Sequence, residues 1–298
     1  MIRLSLALAT CAALAGCGKA SAESASAIAT IGLPGSTDGH FATPRAAAWD
    51  SGGRLYVVDK TGRIQRFDAN GRFERGWRTP AIEKGRPTGL AIDPARNLVV
   101  ADTHYHRLLR YSPDGALLQT IGTTEGTSPG QFIYPVGLAV ATDGTIYVSE
   151  YGGNDRIQVF APDGRLLRSW GRYGEADGEF KRPQGLALAG DRLYVADAAN
   201  HRVQVFSRDG TFVTAWSGVR YPYSVAVDDD GNVLVAEYGR HQVSKFRPDG
   251  TRLASAGGPG SGPTQLDTPW TAVPAGDRVF VVDSGNHRVQ VWPRAMLE

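Results

Sequence analysis

One pattern recurs six times along this chain, and a sequence with such a period buries its apolar faces by packing its repeats against one another. Each copy closes a β-branched and aromatic run with a carboxylate: RLYVVD at Asp59, NLVVAD at Asp102, TIYVSE at Glu150, RLYVAD at Asp197, NVLVAE at Glu237 and RVFVVD at Asp283. Successive acids stand 43, 48, 47, 40 and 46 residues apart. Upstream of each, a proline opens a run of small apolar residues (Pro44, Pro87, Pro135, Pro183, Pro222, Pro269), and downstream comes a third run such as RIQVF (Arg156 to Phe160) or RVQVW (Arg288 to Trp292). Turns at Pro113-Asp114-Gly115, Pro162-Asp163-Gly164 and Pro248-Asp249-Gly250 lead into a fourth. Short alternating runs broken by such turns are the signature of strands and hairpins. No stretch of the repeat region sustains a 3.6-residue apolar period. Four strands per unit with radial repetition predict an all-β fold, a six-bladed β-propeller of four-stranded blades.

The last repeat stops after its third strand, at Trp292, and Pro293 blocks continuation of the ladder. Its missing outer strand has a substitute at the other end, since Ile28 to Gly32 (IATIG) matches the fourth-strand pattern of Leu118 to Gly122 (LQTIG). The head strand is therefore expected to pair with Arg288 to Trp292 and seal the ring, which otherwise leaves two open sheet edges. The propeller is assigned to residues 28–298.

Residues 1–16 read as an export signal, with Arg3 followed by a mostly apolar run from Leu4 to Ala15 that is too short for a membrane span. Both cysteines, Cys11 and Cys17, fall in this region, so the remaining chain has no thiol chemistry and no disulfide framework. Residues 17–27 are small and polar, a flexible tether of about 15–20 Å. With 27 Arg, 5 Lys and a formal charge of +2, the chain carries no basic tail or stripe, and no nucleic acid partner is expected.

The run Leu14-Ala15-Gly16-Cys17 resembles the bacterial lipobox. That resemblance implies cleavage before Cys17, its acylation, and anchoring to the cell envelope by more than one chain. Gly18 after the cysteine implies outer-membrane sorting if the source is Gram-negative. The repeat itself, with its proline, small strand, Asp-Gly turn, Y-V-A-D and N-H-R-V-Q-V-F, resembles the NHL repeat; Asp197 to Phe206 and Asp283 to Trp292 are the cleanest copies. The resemblance specifies a fold that hosts binding modules and enzymes alike.

Five of the six acids are followed within a few residues by Arg63, Arg107, Arg156, Arg202 or Arg288, with Gln242 at that place in the fifth repeat. Such blade-to-blade recurrence points to structural ion pairs rather than chemistry. His106, His201 and His287 sit inside the repeat consensus and are expected to pack or hydrogen-bond, whereas His104 with Tyr105 departs from it. Amidating lyases, which resemble this fold, carry zinc histidines directly after the strand-opening proline. Here those places hold Arg45, Thr88, Val136, Gln184, Tyr223 and Trp270. The first strands also lack the carboxylates of calcium-dependent lactonase propellers. No metal, cofactor or catalytic residue is therefore assigned.

Ligand contact is expected where the loops entering the first strands meet the second-to-third-strand hairpins. The candidates are Arg45, Arg86, Thr88, His104, Tyr105, Tyr134, Arg182, Gln184, Tyr221, Tyr223 and Trp270, groups that suit stacking and bidentate capture. The same groups also fit a plugged channel mouth, and the sequence leaves both open. The resulting expectation is a monomeric, envelope-anchored binding or scaffold module for a protein, peptide or glycan. The alternative is a metal-dependent lyase or hydrolase of the amidating-lyase or lactonase propeller type.

Overall fold

The computed structural model describes residues 29–122 and 124–298. The expected export signal, Cys17, the expected tether and Ile28 lie outside the described residues. Six four-stranded antiparallel sheets form the blades of a propeller. Blade 1 runs over Pro44–Trp49, Leu55–Asp59, Arg63–Phe67 and Phe73–Arg78 from the axis outwards, and the other five repeat that order.

The head strand closes the ring. Ala29–Ile31 pairs with the third strand of blade 6 in the register Ala29 to Val291, Thr30 to Gln290 and Ile31 to Val289. Ile31 is 5 % exposed and packs with Phe41, Phe67 and Val289.

The small residues of the inner strands have a steric cause, because six strands converge on one axis. A Cβ added at Gly89 would meet the Val136 carbonyl oxygen at 1.9 Å, and one at Gly137 the Gln184 oxygen at 2.0 Å. These glycines are required by close backbone approach between neighbouring blades. Among the described residues six apolar clusters, each spanning two adjacent blades, carry the stability.

The repeated geometry of the acids follows the sequence expectation. Asp59, Asp102, Glu150, Asp197 and Asp283 are fully buried, and each pairs with its arginine at 2.5–2.8 Å. In blade 5, Glu237 is held by Arg240 at 2.7 Å and Gln242 at 2.9 Å. In blades 1, 3, 4 and 6 the arginine also donates to carbonyls of the Gly-rich loop that enters its blade, as Arg202 does to Ala176 and Glu179. The ion pairs thus tie loops to strands. Blade 2 departs from this: Arg107 donates only to Asp102 among the described residues, and Leu109 stands where Gln158, Gln204, Gln290 and Ser244 donate to the acids of their blades. Asp102 Oδ1 is left buried without a partner, and burial, only partly offset by Arg107, raises its pKa above the ordinary aspartate value.

Candidate functional site

Each first strand begins at the same mouth of the propeller, one residue after a loop. Four of the residues before the opening prolines, Thr43, Arg182, Tyr221 and Thr268, have left-handed backbones with φ of 48–55°. That conformation is costly for a residue with a side chain. One device holds all four: the backbone N–H donates to a side chain on the hairpin of the preceding blade. Thr43 donates to His287 Nδ1 at 3.0 Å, Tyr221 to His201 Nδ1 at 3.0 Å and Thr268 to His241 Nδ1 at 3.1 Å. Arg182 donates instead to Asp155 Oδ1 at 2.6 Å, because blade 3 reads N-D-R where the consensus reads N-H-R. Three repeat histidines, His201, His241 and His287, are therefore clamps between blades, and an accepting Nδ1 places their proton on Nε2; His106 differs, its Nδ1 donating to the Ile133 carbonyl oxygen at 2.5 Å.

These clamps aim side chains into a funnel of about 360 Å³ lined by Arg45, Thr88, His104, Arg182, Gln184, Tyr223 and Trp270 among the sequence candidates. Below it lies the axial channel, about 330 Å³, which shares Arg45, Thr88, Gln184, Tyr223 and Trp270 with the funnel. Four candidates stand back from the lining. Tyr105 donates to Glu83 at 2.9 Å on the loop from blade 1. Tyr134 packs between His104 and Tyr151, with centroids 5.3 and 5.5 Å away. Arg86 gives its backbone N–H to His104 Nδ1 at 3.3 Å, and Tyr221 sits on the rim against His201 and Tyr223.

The lining also includes Tyr151 and Tyr238, which sequence reasoning missed. Each directly follows a second-strand acid, Glu150 or Glu237, so the position after the acid was the available signal.

Two guanidinium groups sit over aromatic rings, Arg45 over Trp270 at 4.5 Å and Arg182 over Tyr151 at 4.7 Å. Tyr223 covers Trp270 as well, with ring centroids 5.4 Å apart and planes at 25°. Trp270 is accordingly a plate that sets Arg45 and Tyr223 rather than a free stacking surface. Burial and then the neighbouring Arg86 hold Arg45 below the usual arginine value. Burial, reinforced by positive neighbours including Arg45, lowers the His104 pKa, so this imidazole is neutral near pH 7. Burial pushes Tyr223 up to about 12, which keeps its hydroxyl protonated.

The funnel's donors do not fit a metal ion. Its lining has one imidazole and no carboxylate, and His104 Nδ1 already accepts the Arg86 N–H. Among the described residues no group of three or more His, Cys, Asp or Glu side chains gathers to hold one.

Fold and site together define a six-bladed propeller with an aromatic and cationic funnel at the mouth where its inner strands begin. The chain carries NHL repeats, matched over residues 85–111, 132–160, 180–206 and 220–246. Similar proteins include the peptidylglycine alpha-amidating monooxygenase of Rattus norvegicus, 34 % identical over 126 residues that cover 38 % of this chain and 13 % of that one. NHL repeat-containing protein 3 of Homo sapiens is 30 % identical over 141 residues, 44 % of this chain and 41 % of the human protein. The chain thus matches only a minor part of these relatives. Virginiamycin B lyase from Staphylococcus aureus has the same fold, with a TM-score of 0.65 at 13 % identity over 90 % of this chain and 99 % of that chain. The gluconolactonase from Xanthomonas campestris superposes with a TM-score of 0.62 at 20 % identity, over 85 % and 86 % of the two chains.

Proposed function

We propose that this chain is a binding module of the cell envelope, tethered through a lipidated Cys17, whose funnel captures a protein, peptide or glycan without chemical conversion. The observation that carries the proposal is the set of rim residues held at a cost in backbone strain. A clamp that fixes Arg182 and Tyr221 in left-handed conformations serves presentation of those side chains, since glycine would occupy the position with less strain. The absence of carboxylates from the funnel lining also supports binding over metal-dependent turnover.

The test is a pull-down from envelope extract with the wild-type chain and the double variant Trp270→Ala/Arg182→Ala, each checked for fold by circular dichroism. Loss of the captured ligand from a folded variant supports the proposal; identical capture by both overturns it. For the anchor, Cys17→Ser is expected to leave the chain soluble or unprocessed, and unchanged membrane fractionation refutes lipidation.

A lyase or hydrolase is the second reading, drawing on the sequence match to amidating enzymes and on the neutral His104 at the funnel. Elemental analysis of the purified chain separates the two, because a stoichiometric metal favours the enzyme.

A further inference from the structure

We propose that the funnel floor is an oxyanion-binding site, and that the ligand enters with a carboxylate, phosphate or sulfate group leading. The inference rests on the funnel being the binding site and specifies what it recognises.

The lining places Arg45 and Arg182 in one cavity, with Arg86 near enough to depress the Arg45 pKa, and no carboxylate among the lining residues balances them. The ionisable neighbours that act on Arg45 are Arg86, Tyr151 and Tyr223, and those that act on Arg182 are three tyrosines. The five repeat arginines, by contrast, are each paired with an acid. Arg45 and Arg86 repel one another at this partly desolvated cavity with no lining carboxylate to offset it, while Arg182, despite its burial, is held above the usual arginine value by the three tyrosines. A bound anion removes that repulsion.

The geometry of the two arginines selects an oxyanion rather than any negative body. A guanidinium placed over a ring is held in position by that contact, while its fork of N–H donors matches the paired oxygens of a carboxylate, phosphate or sulfate. Trp270 and Tyr151 supply the plates. Gln184 also lines the funnel and brings an amide donor to the same cavity.

The short loop entering blade 5 gives the rest of the ligand a way out. The chain between the outer strand of blade 4, ending at Trp216, and Pro222 is five residues, against eleven between Gly257 and Pro269. At this gap Tyr221, Tyr223 and Tyr238 form a cluster with centroids 4.5–6.1 Å apart, leading from the rim to Trp270. An aromatic or otherwise flat body attached to the anion is therefore accommodated over the tyrosines.

The experiment is titration of the full chain with benzoate, phenyl phosphate, phenyl sulfate and uncharged benzyl alcohol, read by calorimetry and tryptophan fluorescence. Saturable one-to-one binding is expected for at least one anion. Benzyl alcohol should bind at least about ten-fold more weakly, a difference of about 1.4 kcal/mol. Which anion binds identifies the source of the charge. Arg45→Met keeps a long apolar side chain on Trp270 and should weaken the anion by about ten-fold or more without changing the benzyl alcohol response. No saturation by any anion up to about 10 mM, equal binding of benzyl alcohol, or unchanged anion binding by Arg45→Met overturns the assignment. Anion binding in a chain that captures nothing from extract would sink the proposed function alone. Capture undisturbed by Trp270→Ala/Arg182→Ala, with anions bound normally, would do the same.

Discussion

Ile31 offers a direct measure of how firmly the ring is sealed, because the propeller contains its own control. Ile31 in the head strand and Ile121 in the outer strand of blade 2 occupy the same place in their blades, and each is 5 % exposed. Ile31 pairs with Val289 and Ile121 with Leu108, the residue after the repeat arginine in both cases. Each also packs on a turn glycine of the next blade: a Cβ at Gly71 would stand 2.6 Å from Ile31 Cγ1, and one at Gly164 3.0 Å from Ile121 Cγ1. Replacing a buried isoleucine by alanine removes packing and leaves a cavity, at a cost of about 2–5 kcal/mol. Around 3 kcal/mol lowers the melting temperature by about 6–12 °C in a domain of this size. Ile31→Ala and Ile121→Ala should therefore lose similar amounts in parallel urea and calorimetric unfolding, while Thr30→Ala, an exposed residue on the same strand, should stay within about 0.5 kcal/mol of wild type. If Ile121→Ala shows the full loss and Ile31→Ala almost none, the head strand is not part of the cooperative fold and the sealing argument fails.

Arg156→Met leaves the fully buried Glu150 carboxylate without its cation and should cost about 3–5 kcal/mol in urea unfolding, much of it recovered by adding Glu150→Gln; an additive double variant refutes the pairing. Asp102 has a folded pKa above its unfolded one, so its contribution to stability is full below the unfolded value near 3.8 and is lost as pH rises through the folded value. The gap in urea midpoint between wild type and Asp102→Asn should thus shift against wild type as pH rises from about 3 to 7, and a gap independent of pH contradicts the unpartnered Oδ1. Arg182→Gly relieves a left-handed backbone with φ of 55° and should leave stability within about 1 kcal/mol of wild type while abolishing ligand capture; retained capture in a folded variant removes Arg182 from the site.

The fold was legible because its causes are local and repeated. A proline, a small inner strand, an acid and an arginine recur in phase, and both the ion pairs and the closure by Ala29–Ile31 follow from matching one repeat to the next. The site was only half legible for the opposite reason: it is made where the repeats differ. Tyr151 and Tyr238 replace residues such as Ala198 at a position the repeat pattern treats as variable, so attention to the opening prolines missed them. The same blindness concealed what the histidines do. His201, His241 and His287 stand in one blade and clamp the rim of the next, and a repeat aligned on itself does not display a bond that crosses its own boundary.

Asp155 joins these two levels, since it substitutes for the clamp histidine of blade 3 and keeps the bond that fixes Arg182. A carboxylate accepts that N–H more strongly than a neutral imidazole. The strongest clamp therefore falls on the one left-handed rim residue that carries a cation into the funnel. Asp155 is 5 % exposed, and its pKa is raised chiefly by burial, with the Arg182 N–H opposing the shift. Asp155→His would restore the repeat consensus. If the carboxylate is there to hold Arg182, that variant should fold normally yet bind the anion less tightly, with a smaller change when Arg182→Gly is added. Equal anion affinity in Asp155→His and wild type would reduce the substitution to sequence drift.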